Sequence, residues 1–278
     1  MRRRRSAIVL AAAIALAVAA PASAGGSRFP LGDFAGYVWR SGPVAAVSAT
    51  LTVPRIGRPS PRRSIAGTWI GAQAPGVDGP FIQIGINQVH VTPSLAVYYA
   101  FWSDTTLQFH PRFIFAVHAG DVVAASLRRR PAGWALAIVD ATTRVARRFT
   151  TADEAAGAFN LAEFLQEDPT SSAHSELPYP RLAGGRFRQL RVNDATPPRG
   201  TLLSQWMSNQ RDDIAPSRLA GDAFTLHPTK LTAAVARYLR LIAPPNLAGQ
   251  AYDTDVAGWR RPRRDPRSPR HRRRSRES

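Results

Sequence analysis

A chain of 278 residues with 44% apolar side chains can bury one large core, which excludes global disorder. It contains no cysteine, so disulfides, thiol catalysis and thiolate metal sites are excluded, while secretion is not. The formal charge of +18 sits mostly at the two ends. Arg2 to Arg5 bring four positive charges, the stretch 260–278 has ten arginines against Asp265 and Glu277, and the remainder is mildly basic at +6.

In chain order, residues 1–24 predict a signal peptide. Met1 to Arg5 is a positive start, Ala7 to Ala20 an apolar run of 14 residues, and Pro21-Ala-Ser-Ala24 a small-x-small cleavage pattern. That run is shorter than the roughly 20 residues a bilayer span needs, so secretion is expected, with a mature start near Gly25. Residues 25–229 predict an all-β domain. Short strands over 44–53, 68–71, 81–91, 97–102, 113–117, 122–127, 161–167, 189–192, 202–207 and 223–226 are separated by Gly, Pro and polar punctuation. Trp134 to Val139 and Arg144 to Phe149 read as a hairpin across Asp140 to Thr143. Many short strands without helical periodicity predict an all-β sandwich. Over 230–245, Leu231, Val235, Tyr238, Leu239 and Ile242 form one apolar helical stripe that ends at Pro244-Pro245. Residues 246–278 are rich in Arg and Pro and predict a disordered tail, either simply solvated or weakly attracted to anionic surfaces.

The common catalytic signatures are missing. There is no His-Glu-x-x-His, no Gly-x-Ser-x-Gly and no phosphate-binding glycine loop, and the six histidines lack ligand spacing. No metal and no cofactor are expected. Two polar choices inside apolar runs draw notice instead. In Ala162-Glu-Phe-Leu-Gln-Glu-Asp168 the two-residue period of a strand puts Leu161, Glu163, Leu165 and Glu167 on one face. In Phe81-Ile-Gln-Ile-Gly-Ile-Asn87, Gln83 interrupts an aliphatic strand. A charge on a half-buried face is costly unless it has a purpose or a partner.

An ordered series of motifs resembles the eqolisins, the glutamic peptidases. Phe34-Ala-Gly-Tyr-Val38 and Val47-Ser-Ala-Thr-Leu-Thr-Val-Pro54 are similar to the opening of that family. Gly67-Thr-Trp-Ile-Gly71, Ile82-Gln-Ile-Gly85, Tyr98-Tyr-Ala-Phe-Trp102, Ala119-Gly-Asp121, Asp140-Ala-Thr-Thr143, Ala162 to Asp168 and Asp222-Ala-Phe-Thr-Leu226 follow in the family's order. The resemblance implies a secreted endopeptidase, folded as a two-sheet antiparallel β-sandwich of the concanavalin or lectin kind, that hydrolyses polypeptides without a cofactor. It implies Glu167 as general base and acid on water and Gln83 as oxyanion donor, meeting in space. Trp69, Trp102, Glu163 and Gln73 are the expected cleft or supporting residues. Since a carboxylate titrates near 4.3 in the absence of perturbation, acid working, at about pH 2 to 4, is expected. Two departures stand out: Gln73 occupies a family aspartate position, and Ser103 a glutamate position. A non-catalytic, lectin-like secreted binding protein on the same sandwich is the alternative those departures favour.

Overall fold

A computed structural model describes residues 28–74, 79–107, 110–151, 159–169, 177–208 and 213–230. The expected leader, the helix beyond Lys230 and the arginine tail lie outside these residues.

The described chain is built of strands: β1 (Arg28–Gly32), β2 (Phe34–Trp39), β3 (Ala46–Thr52), β4 (Arg55–Ile56), β5 (Ser64–Gln73), β6 (Phe81–Thr92), β7 (Leu95–Asp104), β8 (Arg112–Ala116), β9 (Val122–Arg130), β10 (Gly133–Asp140), β11 (Val145–Thr151), β12 (Leu161–Glu167), β13 (Leu182–Ala183), β14 (Arg186–Val192), β15 (Leu202–Ser208), β16 (Asp213–Pro216) and β17 (Phe224–Thr229). The expected all-β sandwich is present, as two antiparallel layers. One runs β8-β7-β6-β5-β12-β2-β15-β16 and the other β11-β10-β9-β3-β14. β17 joins them, pairing with β14 through Phe224 and Thr225 and with β16 through Leu226 to Thr229. One pairing departs from the antiparallel rule, because β1 runs parallel to β15.

The layers differ in how their strands are covered, and the sequence pattern follows. β10 alternates half-buried and buried residues, with Trp134, Leu136 and Ile138 inward and Ala135, Ala137 and Val139 outward. A sheet with one solvated face produces that alternation. β5 and β12 are buried almost throughout, as is β6 up to His90, so both faces of the central layer are covered. Their even-numbered residues Ile70, Ala72, Ile82, Ile84, Ile86, Ala162 and Phe164 pack against Val47, Leu51, Val123, Leu127 and Leu136 of the other layer, forming the main core. Their odd-numbered residues Ile65, Trp69, Phe81, Val89 and Leu165 build a second cluster on the opposite face, joined by Phe34 and Val38 of β2 and Phe101 of β7. The hairpin expected across Asp140 is also formed. Asp140 Oδ1 accepts from the Thr142 N–H at 2.9 Å and Oδ2 from the Thr143 hydroxyl at 2.6 Å. An aspartate closing its own turn in this way is a common hairpin device.

Candidate active site

The odd face of β12, β5 and β6 carries the polar residues singled out from the sequence, and its register is regular. Glu163 stands opposite Gly71, which stands opposite Gln83. Leu165, Trp69 and Gly85 form the next row, and Glu167, Gly67 and Asn87 the third. Ser103 and Tyr99 of β7 extend the first and third rows beyond Gln83 and Asn87. Trp69 is therefore the centre of a block of nine residues. Gln83 and Glu167 sit at the ends of one diagonal through it, and Glu163 and Asn87 at the ends of the other.

Three glycines make room for the central indole. A Cβ built on Gly85 would stand 2.4 Å from Trp69 Cβ and 2.3 Å from the Thr68 carbonyl oxygen, distances no packing adjustment absorbs. Gly85→Ala is thus expected to destabilise the fold by about 3 kcal/mol or more. Urea unfolding checks this, and an unchanged midpoint would contradict it. Above Gly67, Trp69 Cδ1, Glu167 Oε2 and Asn87 Oδ1 would lie 3.2, 3.4 and 3.5 Å from an added Cβ. Above Gly71 the indole Cζ3, the Phe81 ring edge and Glu163 Oε2 converge in the same way, at 2.8, 3.1 and 3.2 Å. The indole thus reaches from one glycine to the other along its own strand. Phe34 and Phe81 hold it edge-on, with ring centroids at 5.9 and 5.5 Å.

The two carboxyl groups of β12 meet opposite ends of that indole. Trp69 Nε1–H donates to Glu167 Oε2 at 2.7 Å, a buried hydrogen bond to one carboxylate oxygen. Beside it, Asn87 Nδ2 donates to the Tyr99 hydroxyl at 3.1 Å. Burial lifts the Tyr99 phenol to about 12, with the Asn87 bond opposing, so Tyr99 stays a neutral hydroxyl. Glu163 has no such support: its Oε2 finds no hydrogen-bond partner among the described residues. Desolvation pushes its carboxyl up to about 8. Ser103 Oγ is likewise buried without a partner among the described residues.

The block is shut off from solvent, with Gln83 at 0%, Trp69 at 1% and Glu167 at 2% exposure. Leu161 and Leu177 pack onto its apolar rim. Gln73 lies on the same face one row beyond Glu163, between Leu161 and Phe81, and is buried. Trp102, expected in the cleft, is not on this face. It is paired with Ile84, packs on the main core and meets the Phe149 ring at 5.3 Å, because its even register turns it inward between the layers. Asn87, Tyr99 and Phe81 were not singled out as site residues. The two-residue period places Asn87 on the Gln83 face, four positions along, and was the available signal. Among the described residues, no group of three or more His, Cys, Asp and Glu gathers that could hold a metal ion.

Solved structures share this architecture. Scytalido-glutamic peptidase with a peptide-based transition-state analog superposes with a TM-score of 0.59 at 16% identity, over 71% of this chain and 98% of that one. SCP-B, an eqolisin in complex with the tripeptide Ala-Ile-His, gives 0.53 at 17% identity over the same shares. No curated protein matches the sequence. The profile of the Peptidase A4 family covers residues 32–197, from the end of β1 to the turn after β14, and so spans every strand of the block. The chain belongs to the peptidase A4 family, the eqolisins or glutamic peptidases.

Proposed function

We propose that this glutamic peptidase is a secreted endopeptidase that cuts polypeptides with Glu167 and Gln83. The Trp69–Glu167 hydrogen bond at 2.7 Å carries the reading most directly. It fixes one carboxylate oxygen and favours the ionised form, which is the form that can take a proton from water. The deprotonated water adds to the scissile carbonyl carbon. Gln83 lies at the far end of the diagonal through Trp69, and its side-chain N–H groups are donors at every pH. One of them stabilises the oxyanion as it forms, in a dry site where such a bond counts for more than in water. The intermediate then collapses with loss of the amine, which as it leaves takes from Glu167 the proton that came from water.

An unperturbed glutamate carboxyl group titrates near 4.3, which supports activity in acid. Export is supported by the Arg2–Arg5 start, the 14-residue apolar run and the cleavage pattern at Ala24. The arginine tail adds weak, salt-sensitive attraction to anionic surfaces.

Gln83→Ala is expected to lower kcat for a peptide substrate about 100- to 1000-fold, with little change in KM. Steady-state kinetics at acid pH measures this. A Gln83→Ala enzyme with native kcat would remove Gln83 from the mechanism. A lectin-like binder on the same sandwich has only the substitutions at Gln73 and Ser103 in its favour, and neither displaces the Trp69–Glu167 contact.

A further inference from the structure

An amide that stabilises an oxyanion must present its nitrogen. The Gln83 side chain carries a donor end and an acceptor end of nearly the same shape, and turned about its last bond it would offer Oε1 to the developing negative charge instead. A group on its own face has to hold the carbonyl end, and the register limits the choice. Along β6 the neighbours on that face are Phe81 and Gly85, and directly across on β5 is Gly71. None of the three has a side chain that hydrogen-bonds. Directly across on β7 is Ser103. Of the polar groups one row away, Trp69 Nε1–H is taken by Glu167 and the Thr105 hydroxyl by the Phe81 backbone, which leaves Gln73 on a diagonal. Opposed side chains on neighbouring strands have Cβ atoms about 4.5–5.5 Å apart and diagonal positions lie about 7–8 Å apart, so Ser103 is the nearer.

The state of Ser103 in the free enzyme fits such a task. It is 0% exposed, and its Oγ has no hydrogen-bond partner among the described residues. A buried hydroxyl left without a partner costs the folded chain stability and calls for an explanation, of which a role in catalysis is one. Catalytic hydrogen bonds commonly close only when substrate is bound, and a serine hydroxyl rotates to suit its acceptor.

We propose that Ser103 is a positioning residue for Gln83: in the substrate complex its Oγ–H donates to Gln83 Oε1, which turns Nε2–H towards the oxyanion. This rests on the reading of Gln83 as oxyanion donor. Ser103 acts through the amide and exchanges no proton with substrate or water. Its bond to Oε1 also makes Nε2–H the stronger donor, because hydrogen bonds in a chain polarise one another. The gain is realised as negative charge develops on the substrate oxygen, so it belongs to kcat rather than to KM.

The test compares the native chain, Ser103→Ala, Gln83→Ala and the double variant on one peptide substrate at acid pH. Product is quantified by mass spectrometry, so that slow variants are still measured, and urea unfolding is followed for each chain. Ser103→Ala should lower kcat about 10-fold with little change in KM. In the Gln83→Ala background the same substitution should change kcat by less than about twofold, because no amide remains to be oriented. Ser103→Ala also removes a buried hydroxyl that has no partner in the free enzyme, so its urea midpoint should equal the native value or exceed it. A slower Ser103→Ala of undiminished stability, whose effect vanishes without Gln83, establishes the assignment. Native kcat in Ser103→Ala, an equal loss in both backgrounds, or a lowered urea midpoint overturns it and leaves Gln83 as the donor. Native kcat in Gln83→Ala instead rejects the donor, and the positioning role with it.

Discussion

Glu167→Gln is expected to abolish peptide hydrolysis, with kcat down about 1000-fold or more and KM nearly unchanged. The substitution removes one property only, the ability to hold a proton taken from water. A glutamine Oε1 can still accept from Trp69 Nε1–H, so the bond now measured at 2.7 Å keeps a counterpart and the indole stays placed. Thermal unfolding of the variant should therefore track the native chain at acid pH. Glu167→Ala is the poorer probe. It leaves the indole N–H buried without an acceptor, which costs about 1–3 kcal/mol and mixes folding with catalysis. A Glu167→Gln enzyme with native kcat would show that the base is elsewhere on the face.

The second large effect concerns stability. Glu163 is buried, and desolvation lifts its carboxyl from 4.5 to about 8. Below 4.5 it is protonated in folded and unfolded chains alike and adds no pH dependence. Between 4.5 and about 8 the unfolded chain releases the proton and the folded chain keeps it, so rising pH favours unfolding. Above that range both states are ionised and the loss is complete. At about 1.4 kcal/mol per pH unit, stability should fall by on the order of 5 kcal/mol across this window. That is a large share of the roughly 5–15 kcal/mol of a typical domain. Glu163→Gln should remove this slope and be the more stable chain at pH 8. Urea unfolding of both chains at about pH 4, 6 and 8 measures the difference directly. Parallel curves would mean that Glu163 finds water or a partner on ionising.

Much of this architecture was legible in the chain. Strand positions followed from apolar runs punctuated by Gly and Pro, and the hairpin across Asp140 formed where its turn residues stand. The shared face of Glu163 and Glu167 followed from the two-residue period, and the motif series pointed to Trp69 and Gln83. What could not be read was pairing order. β12 inserts between β2 and β5, joining segments about 90 to 130 residues apart, and no local pattern encodes that neighbour choice. Without register, the aromatic run Tyr98 to Trp102 contains residues of both faces. Trp102 therefore turned inward towards Phe149, while Tyr99 took the site face beside Asn87. The short strands β4, β13 and β16 carry too few residues to show a period. The diagonal geometry around Trp69 was likewise hidden, since it depends on three glycines aligning across two strands.

The departures at Gln73 and Ser103 also gain a physical meaning. Gln73 is buried one row beyond Glu163, and Ser103 is in the row of Gln83. Neither brings a charge into the block, whose carboxyl groups among the described residues are the two on β12.

Digestion of an unfolded protein across about pH 3 to 8 by the full chain, Gln83→Ala and Glu167→Gln tests the central claim most directly. The native chain should cut internal peptide bonds in the acid range, Gln83→Ala should leave a trace of activity, and Glu167→Gln none above background. Cleavage by Glu167→Gln equal to that of the native chain, or no cleavage by the native chain at any pH, would contradict it.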